Sequence, residues 1–353
     1  MAAAVAWAVA LLVTLLLTPA VARVARRWGL LDRPDGERKH HPAEVPLLGG
    51  VAIMVGAVVG VVATSGPSEV DGTRLAWVFL LAAVLCVVGL LDDLRPSPVP
   101  VRLLAQLAVA ATAWTVGLRV RAFPTVGLDA AATLLWVVGI ANAFNLLDNM
   151  DGLSAGLATV AAGAFAVMAV IEGVPVVAVG AGAVAGAAGG FLVHNRPPAR
   201  VFMGDAGALF LGTSLALLGV ELRFDNLVEV TFLVPIIVLG VPLFDSGLVV
   251  LDRVVHGRPV FAAARDHVSH RMVRVGLPER VAVGLLVWAA ICLGWLALVI
   301  SQATTQVGWM LGVLVAALAV FFGVVLWRVP PRGSAHRGAS PAADVLDAGG
   351  DRR

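Results

Sequence analysis

Four clusters of acidic residues interrupt an otherwise apolar chain of 353 residues. They are the pair Asp92-Asp93, the run from Asn142 to Gly152, the tetrapeptide Gly204-Asp205-Ala206-Gly207, and Asp245. Each lies where a predicted membrane span begins or ends, and all lie on the same predicted side. Membrane proteins do not need carboxylates there for stability, whereas hard divalent cations prefer carboxylate oxygen. The clusters therefore predict a metal-dependent active site at one surface of a bilayer.

The run from Asn142 to Gly152 is the most specific of these clusters. Asn142, Asn145 and Asp148 recur at intervals of three residues, so they lie on one side of a helix that leaves the membrane. Asp151 then precedes Gly152 at a turn. Two amides and two carboxylates so close together are atypical of core packing. The simpler alternative is a polar cap shared by two helices.

Asp205 lies in a glycine-flanked segment directly before a predicted span. Glycines allow close approach of a backbone, and a helix N-terminus offers N–H groups that suit phosphate. A carboxylate beside them suits Mg²⁺, which commonly bridges to substrate phosphates. N-capping of the helix by Asp205 is the alternative. Asp92-Asp93 likewise suits either a hard cation or proton transfer, with a solvated helix end as the alternative.

Asp245 ends the ninth predicted span, and Asp266-His267-Val-Ser-His270-Arg271 follows in the longest loop. The two histidines suit phosphate binding or acid–base chemistry. Zinc is disfavoured because no cysteine is near. A charged surface loop is the alternative.

Lys39 is the only lysine among the 25 basic residues of the chain. A chain that otherwise uses arginine indicates a need for a compact ammonium at this position. Chance retention is the alternative.

The elements that position these residues are predicted to be membrane-spanning helices. Hydrophobic residues make up 59% of the chain and charged residues 14%, with a mean hydropathy of +0.94, whereas soluble domains carry about 25% charged residues. The apolar runs are continuous and long enough to cross a bilayer, which favours helices over a barrel. We predict an all-α polytopic integral membrane protein with about eleven transmembrane helices, at 3–22, 46–64, 75–91, 102–118, 128–144, 154–171, 174–192, 206–220, 227–247, 281–300 and 306–327.

The distribution of charge predicts the orientation. With the N-terminus outside and the C-terminus cytoplasmic, 21 of the 25 basic residues fall in cytoplasmic loops or the tail, as the positive-inside rule requires. All four acidic clusters then face the cytoplasm. We predict a membrane-embedded domain over 1–329, with its active site on cytoplasmic loops, and a disordered tail over 330–353.

This inventory fits phosphoryl transfer between a soluble nucleotide donor and a lipid acceptor. A transporter is the main rival, but transporters place ionisable residues near the bilayer midplane and often carry inverted repeats. Here the acids cluster at one face and no repeat is visible. A non-catalytic scaffold is a further alternative.

Five motifs, in order between residues 30 and 280, resemble those of the polyprenyl-phosphate N-acetylhexosamine-1-phosphate transferases, the integral membrane family that includes phospho-MurNAc-pentapeptide translocase. They are the Arg-Lys-His…Pro-x-x-Gly-Gly loop, Asp92-Asp93, the 142–152 run, Gly204-Asp205-x-Gly207, and Pro242-Leu-Phe-Asp245 with Asp266-His267-x-x-His270-Arg271. The first and last motifs and the eleventh span resemble the N-acetylglucosamine-1-phosphate transferase branch. The sequence departs from the family pattern at Asn149, usually Gly, and at Ala208, commonly Ser, which bears on sugar preference.

The resemblance implies that UDP-N-acetylhexosamine, UDP-GlcNAc first among the candidates, reacts with undecaprenyl or decaprenyl phosphate to give polyprenyl-pyrophosphoryl-sugar and UMP. The pentapeptide translocase is the alternative. The implied cofactor is Mg²⁺, with Mn²⁺ as a substitute. The setting would be the bacterial plasma membrane with a cytoplasmic active site, at the first membrane step of a cell-envelope glycan pathway. No nucleic-acid partner is expected, and a homodimer is an option.

The resemblance also implies a role for each matching residue. Asp205 and Asp93 would bind metal. The catalytic acids would be Asp92, Asp93, Asp148 and Asp151. Contacts to the substrates would come from Lys39, Asn142, Asn145, Asp245, His267, His270 and Arg271.

Overall fold

The computed structural model describes residues 1–32, 44–64, 71–222, 224, 232–260 and 266–329. Lys39 and the predicted tail lie outside the described residues. The described part contains one two-stranded antiparallel ribbon, β1 (Leu31–Asp32) and β2 (Val45–Pro46). Its helices are α1 (Ala2–Trp28), α2 (Gly49–Val62), α3 (Gly72–Leu94), α4 (Val99–Thr115), α5 (Val126–Leu147), α6 (Leu153–Ile171), α7 (Pro175–Asn195), α8 (Gly204–Glu221), α9 (Leu233–Val238), α10 (Gly240–Val255), α11 (Val268–Arg274), α12 (Glu279–Ser301) and α13 (Thr305–Trp327).

Seven of the described helices are long and apolar enough to cross a membrane, namely α1, α3, α5, α6, α7, α12 and α13. The apolar helices α2 and α4 are shorter. A helix overlaps each of the eleven predicted spans, which confirms the all-α, multi-span membrane architecture. The exact number of crossings and the orientation of the termini stay predictions.

The predicted ninth span, 227–247, is not one continuous helix. In its described part α9 ends at Val238 and α10 begins at Gly240. Pro242 lacks an N–H, and its ring would clash with the carbonyl four residues earlier in an unbroken helix. The chain therefore starts a new helix, in whose first turn proline is tolerated. The sequence had suggested that Asp245 ends a span. Instead α10 runs on to Val255, so Asp245 lies inside a helix.

Small residues build the centre of the bundle. Of the most apolar stretch of α7, 83% is buried, against 0% for α13, so α7 is central and α13 peripheral. α1 packs on α7, and a Cβ on Gly186 or Gly190 would lie 2.1 or 2.5 Å from a carbonyl oxygen of α1. Close backbone approach of this kind is how membrane helices pack with little apolar driving force between them. α3 and α5 pack against α8, the other buried helix.

The β-ribbon brings the start of α2 to the start of α8. Pro46, in β2, accepts a hydrogen bond from Phe202 N at 2.9 Å. Gly49 N then donates to the Phe202 carbonyl at 3.0 Å, and Gly50 N to the Met203 carbonyl at 3.0 Å. The backbone of the Pro-x-x-Gly-Gly motif therefore holds the segment that leads into Asp205 by hydrogen bonds.

Candidate active site

The first turn of α8 carries Asp205 and is crowded by neighbouring backbone. Gly204 has a φ of +66°, in the left-handed region, and a Cβ there would lie 2.4 Å from Asp93 Oδ2. A Cβ on Gly207 would lie 2.9 Å from the Cα of Gly50. Because none of these glycines tolerates a side chain in this packing, the Gly-Asp-x-Gly motif is a close-packing device as well as the carrier of the carboxylate.

Asp93 caps this helix from α3. Its Oδ1 accepts from Asp205 N at 2.9 Å and its Oδ2 from Ala206 N at 3.2 Å. Gly89, one turn earlier in α3, lets the helices meet, because a Cβ there would lie 2.5 Å from Ala206 N. Asp205 is therefore not the N-cap of α8, which removes that alternative. The same geometry corrects the expectation that these N–H groups are available to a phosphate, since Asp93 occupies two of them.

Arg102 joins two of the predicted acids. Its Nη1 donates to Asp92 Oδ2 at 2.7 Å and to Asp205 Oδ2 at 3.0 Å. The other oxygen of Asp92 accepts from the N and Oγ of Ser97, at 2.7 and 2.5 Å. Neither Arg102 nor Ser97 was predicted as a site residue. The available signal was an arginine at the membrane boundary just after the Asp92-Asp93 pair.

The end of α5 faces the same acids. The Asn145 side chain lies near the Asp205 carboxylate. Burial, the larger effect, raises the pKa of that carboxyl, and Asn145 lowers it. Asp148 is the C-cap of α5 and is half-buried. Its pKa is raised to about 8, first by burial and then by the negative charges of Asp205, Asp93 and Asp151. The structure thus brings carboxylates from three distant stretches of sequence into electrostatic contact.

Asn142 lies on the same helix but has a different partner. Its Nδ2 donates to Gln106 Oε1 at 2.6 Å and to the Val138 carbonyl at 2.8 Å. Gln106 is only 3% exposed, inside the apolar helix α4. The pair joins α4 to α5 within the bundle. The predicted substrate contact of Asn142 stays a prediction, and this pairing favours a structural role.

Asp151 and Gly152 dock the turn after α5 onto the connection between α7 and α8. Asp151 Oδ2 accepts from Ala199 N at 2.8 Å, and Gly152 N donates to Asn195 Oδ1 at 3.0 Å. Gly152 has a φ of +76°, which glycine adopts without strain. Asp151 therefore shapes the turn that presents Asp148.

Asp245 and His267 form a buried pair between α10 and α11. They are 1% and 4% exposed, and His267 Nδ1 lies 2.6 Å from Asp245 Oδ2. The other oxygen accepts from Val268 N at 2.6 Å. With Nδ1 held by the carboxylate, the remaining ring nitrogen, Nε2, is the one left for a substrate. The His270 ring stands 6.3 Å away, edge to face.

A hydrogen bond joins this pair to the rest of the site. Ser269 Oγ donates to Asn149 Oδ1 at 3.0 Å. Asn149 follows Asp148 directly, so α11 and its histidines are fixed against the turn that carries the acids. The position where the family pattern has glycine is thus a point of attachment here.

Arg271 was predicted to contact substrate, and the structure gives it another place. Its guanidinium is 0% exposed. Nε donates to the Asp266 carbonyl at 2.8 Å and Nη2 to Asp252 Oδ2 at 2.8 Å. Nη1 donates to the carbonyls of Leu326 and Val329, at 3.0 and 3.2 Å, at the end of α13. The predicted substrate contact of Arg271 stays a prediction, and full burial with these partners favours a role in supporting the loop.

Arg271 belongs to a larger charged network, which we call the arginine cluster: Asp252, Arg253, Arg258, Asp266 and Arg271. Arg253 binds Asp266 through two parallel hydrogen bonds of 2.9 and 2.8 Å, and Arg258 binds Asp252 at 2.6 Å. Burial alone would raise the pKa of Asp266, but the hydrogen bonds and charge of Arg253 hold it below its usual value. The cluster fixes α10, α11 and α13 relative to one another.

The acids suit Mg²⁺ by type, although no ready-made cage is present. Within the described ranges, no three acidic, histidine or cysteine side chains are grouped closely enough to hold an ion alone. Mg²⁺ is commonly held by only one or two carboxylates together with substrate phosphates. Asp205 and a neighbour fit that arrangement, since the repulsion that raises the pKa of Asp148 is what a cation would relieve.

Comparison with known proteins gives consistent matches. The profile of glycosyl transferase family 4 matches residues 75–223, which include three of the acidic clusters. A probable undecaprenyl-phosphate N-acetylglucosaminyl 1-phosphate transferase of Bacillus subtilis is 34% identical over 330 residues, 91% of this chain and 90% of its own length. A phospho-N-acetylmuramoyl-pentapeptide-transferase of Geobacillus kaustophilus is 32% identical, over 76% of this chain and 89% of its own. A decaprenyl-phosphate N-acetylglucosaminephosphotransferase of Mycobacterium tuberculosis is 30% identical, over 80% and 78%.

Proposed function

The chain belongs to glycosyl transferase family 4, and from that premise we propose that it transfers N-acetylglucosamine 1-phosphate from UDP-N-acetylglucosamine to polyprenyl phosphate. The products are polyprenyl-pyrophosphoryl-N-acetylglucosamine and UMP. Two of the relatives compared above are named for this chemistry. The observation that carries the proposal for this chain is the convergence of Asp92, Asp93, Asp148 and Asp205 around the first turn of α8.

The transfer forms one bond and breaks one. An oxygen of the lipid phosphate attacks the phosphorus that bears the sugar, and the bond from that phosphorus to the oxygen it shares with the UMP phosphorus breaks. UMP leaves with the bonding electrons. A lipid phosphate is already largely ionised at neutral pH, so neither Asp92 nor Asp93 need act as a formal base. Asp93 acts indirectly, by fixing the backbone of Asp205.

The donor diphosphate requires positive charge. Arg102 lies between Asp92 and Asp205 and can turn one N–H toward a diphosphate oxygen. Nε2 of His267 and the ring of His270 would contact the diphosphate or the sugar from α11. Asn145 would bind the nucleotide. Mg²⁺, when bound, would be held by Asp205 with Asp93 or Asp92 and would neutralise the charge that develops on the phosphates.

Asp205→Asn tests the proposal most directly. In membranes supplied with radiolabelled UDP-N-acetylglucosamine and polyprenyl phosphate, this variant should make no labelled lipid while remaining folded and inserted. Asp71→Asn is the matched control, because Asp71 caps the far end of α3 and asparagine caps equally well. Full transfer by Asp205→Asn would refute the metal assignment.

A donor panel tests the sugar and the runner-up function. UDP-N-acetylglucosamine should be used in preference to UDP-N-acetylgalactosamine and to UDP-MurNAc-pentapeptide. The pentapeptide donor is included because one relative is named for it. Its preferential use would replace our proposal with the translocase, and accumulation of unreacted donor inside vesicles would indicate transport instead.

We also propose that the protein lies in the bacterial plasma membrane with this site on the cytoplasmic face. The asymmetry of basic residues supports that orientation. A single cysteine introduced beside Arg196, in a background without Cys86 and Cys292, should react with a membrane-impermeant maleimide only when the inner face is exposed. Labelling in intact cells would contradict this orientation.

A further inference from the structure

A groove of about 610 Å³ opens on an exposed apolar surface between α7 and α12. Both helices pack on α6, which forms the floor. Gly156, in the α6 floor, and Gly189, in the α7 wall, have no side chain to occupy the groove. Gly284 leaves the α12 wall open, since a Cβ on Gly284 would meet no atom within 4 Å. Cavities of about 300–1,000 Å³ are typical of small-molecule sites. The groove therefore has the size of a binding site and lies outside the site described above.

One end of this groove is positively charged. Arg196, at the end of α7, and Arg280, in the first turn of α12, both line it and are both exposed. No acidic side chain within the described ranges forms an ion pair with either arginine. The remaining lining is apolar or glycine. Two arginines above an apolar channel complement an amphiphile with an anionic head group.

The length of the groove indicates which kind of amphiphile would fit it. Arg280 and Ile291 are separated by eleven residues of α12, so the channel extends about 16 Å from charged end to apolar end. That is about half of the 30 Å hydrocarbon thickness of a bilayer. The exposed indole of Trp288 lies along it. A channel one leaflet deep matches an acyl chain whose head group stays at the interface.

We propose that this groove is a binding site for an anionic phospholipid, with the phosphate between Arg196 and Arg280 and one acyl chain along Gly284 and Ile291. The lipid would be supplied by the leaflet in which both arginines lie. Gly152 also lines the groove, so the occupant sits directly behind the turn that carries Asp151. The proposal does not depend on the chemistry of the active site, because binding is measured without turnover.

The experiment is lipid titration of the full chain, purified in detergent and observed by native mass spectrometry. Phosphatidylglycerol should bind more tightly than phosphatidylcholine. The double variant Arg196→Gln/Arg280→Gln should bind phosphatidylglycerol about 25-fold more weakly, from about fivefold for each arginine–phosphate contact. Arg26→Gln/Arg27→Gln makes the same charge change at the end of α1, away from the groove, and should bind as the unmodified chain does.

A second variant guards against a fold defect. Gly284→Leu keeps both arginines, meets open space, and fills the channel. It should reduce phosphatidylglycerol binding while leaving thermal stability unchanged. Equal affinity for the two phospholipids, or undiminished binding by both groove variants, would overturn the proposal. So would undecaprenyl phosphate displacing phosphatidylglycerol from the groove, because the groove would then belong to the acceptor substrate.

Discussion

Asp93 holds Asp205 by its backbone, through the 2.9 Å hydrogen bond from Asp205 N to Asp93 Oδ1. The two acids are therefore not independent ligands on separate helices. One carboxylate fixes the turn from which the other projects, and the position of Asp205 depends on how closely α3 approaches α8. Variants that move these helices apart should act on the reaction without altering a single polar side chain.

Gly89→Ala should separate them. The new Cβ would lie 2.5 Å from Ala206 N, and overpacking of this kind costs about 1–3 kcal/mol. We expect a large loss of transfer, measured as labelled lipid formed per inserted protein. Gly139→Ala, in α5, is the control, because its Cβ meets nothing within 4 Å and alanine favours a helix by about 0.5–1 kcal/mol. Equal activity of the two variants would show that the close approach of α3 is dispensable.

Arg102→Met tests the bridging guanidinium. Its removal leaves Asp92 and Asp205 without the cation between them. The turnover number should fall about 100-fold, as when one preorganised donor to a transition state is lost. The Mg²⁺ concentration needed for half-maximal activity should fall as well, because the site becomes more negative. A rise in that concentration would argue instead that Arg102 helps to assemble the metal site.

The raised pKa of Asp148 predicts that the stability of the fold depends on pH. Its pKa is raised to about 8 in the folded chain, from about 3.9 when unfolded. The folded state thus holds a proton that the unfolded state releases, and the associated stability is present at low pH and is lost as pH rises toward 8. Without divalent ions, the melting temperature should fall between about pH 4 and pH 8, and it should fall by more in the unmodified chain than in Asp148→Asn. Thermal unfolding in detergent with a chelator measures the difference, and parallel curves would contradict it.

Asp245→Asn tests the buried pair with His267. An amide can still accept from Val268 N, but it cannot hold the imidazole as a carboxylate does. Partners that orient functional histidines typically contribute about 10- to 100-fold. We expect a loss of that size in turnover with little change in melting temperature. Asp71→Asn again supplies the control, and an equally active Asp245→Asn would assign the pair to folding alone.

Arg271→Met separates a structural role from substrate binding. Breaking a buried ion pair costs about 3–5 kcal/mol, and the carbonyls of Leu326 and Val329 also lose their donor. The melting temperature should therefore drop in the absence of any substrate. Arg26→Met, at an exposed position, should leave it unchanged. If only the Michaelis constant of Arg271→Met rose, the original expectation of a substrate contact would be restored.

Apolar runs and motif spacing predicted much of the molecule. Each expected span contains a helix, because about 20 apolar residues have no other way to satisfy their backbone in lipid. The convergence of Asp92, Asp148 and Asp205 followed from placing every acidic cluster at one face. What periodicity could not show is how a side chain is used once it is there. Asn142 and Asp148 share a helical face, yet the first binds Gln106 within the bundle while the second faces the acids.

Other residues escaped notice because their partners are distant in sequence. Arg102 and Gln106 look like ordinary members of a predicted span until α3, α5 and α8 are placed around them. The partners of Arg271 could not be foreseen either, because a motif arginine beside two histidines suggests an anion, whereas its side chain binds an aspartate and backbone carbonyls more than fifty residues later. The division of the ninth span at Leu239 was signalled by Pro242.

The attachment of α13 has a practical side. The carbonyls of Leu326 and Val329 accept hydrogen bonds from Arg271, whose neighbours in sequence include His270. A displacement of the end of α13 would therefore also displace the site histidines. A truncation with an affinity handle fused immediately after Val329 would place that handle at the anchor. Biochemists who shorten this chain should therefore keep residues beyond Val329 before the handle, or compare handles at both ends, before they trust a rate.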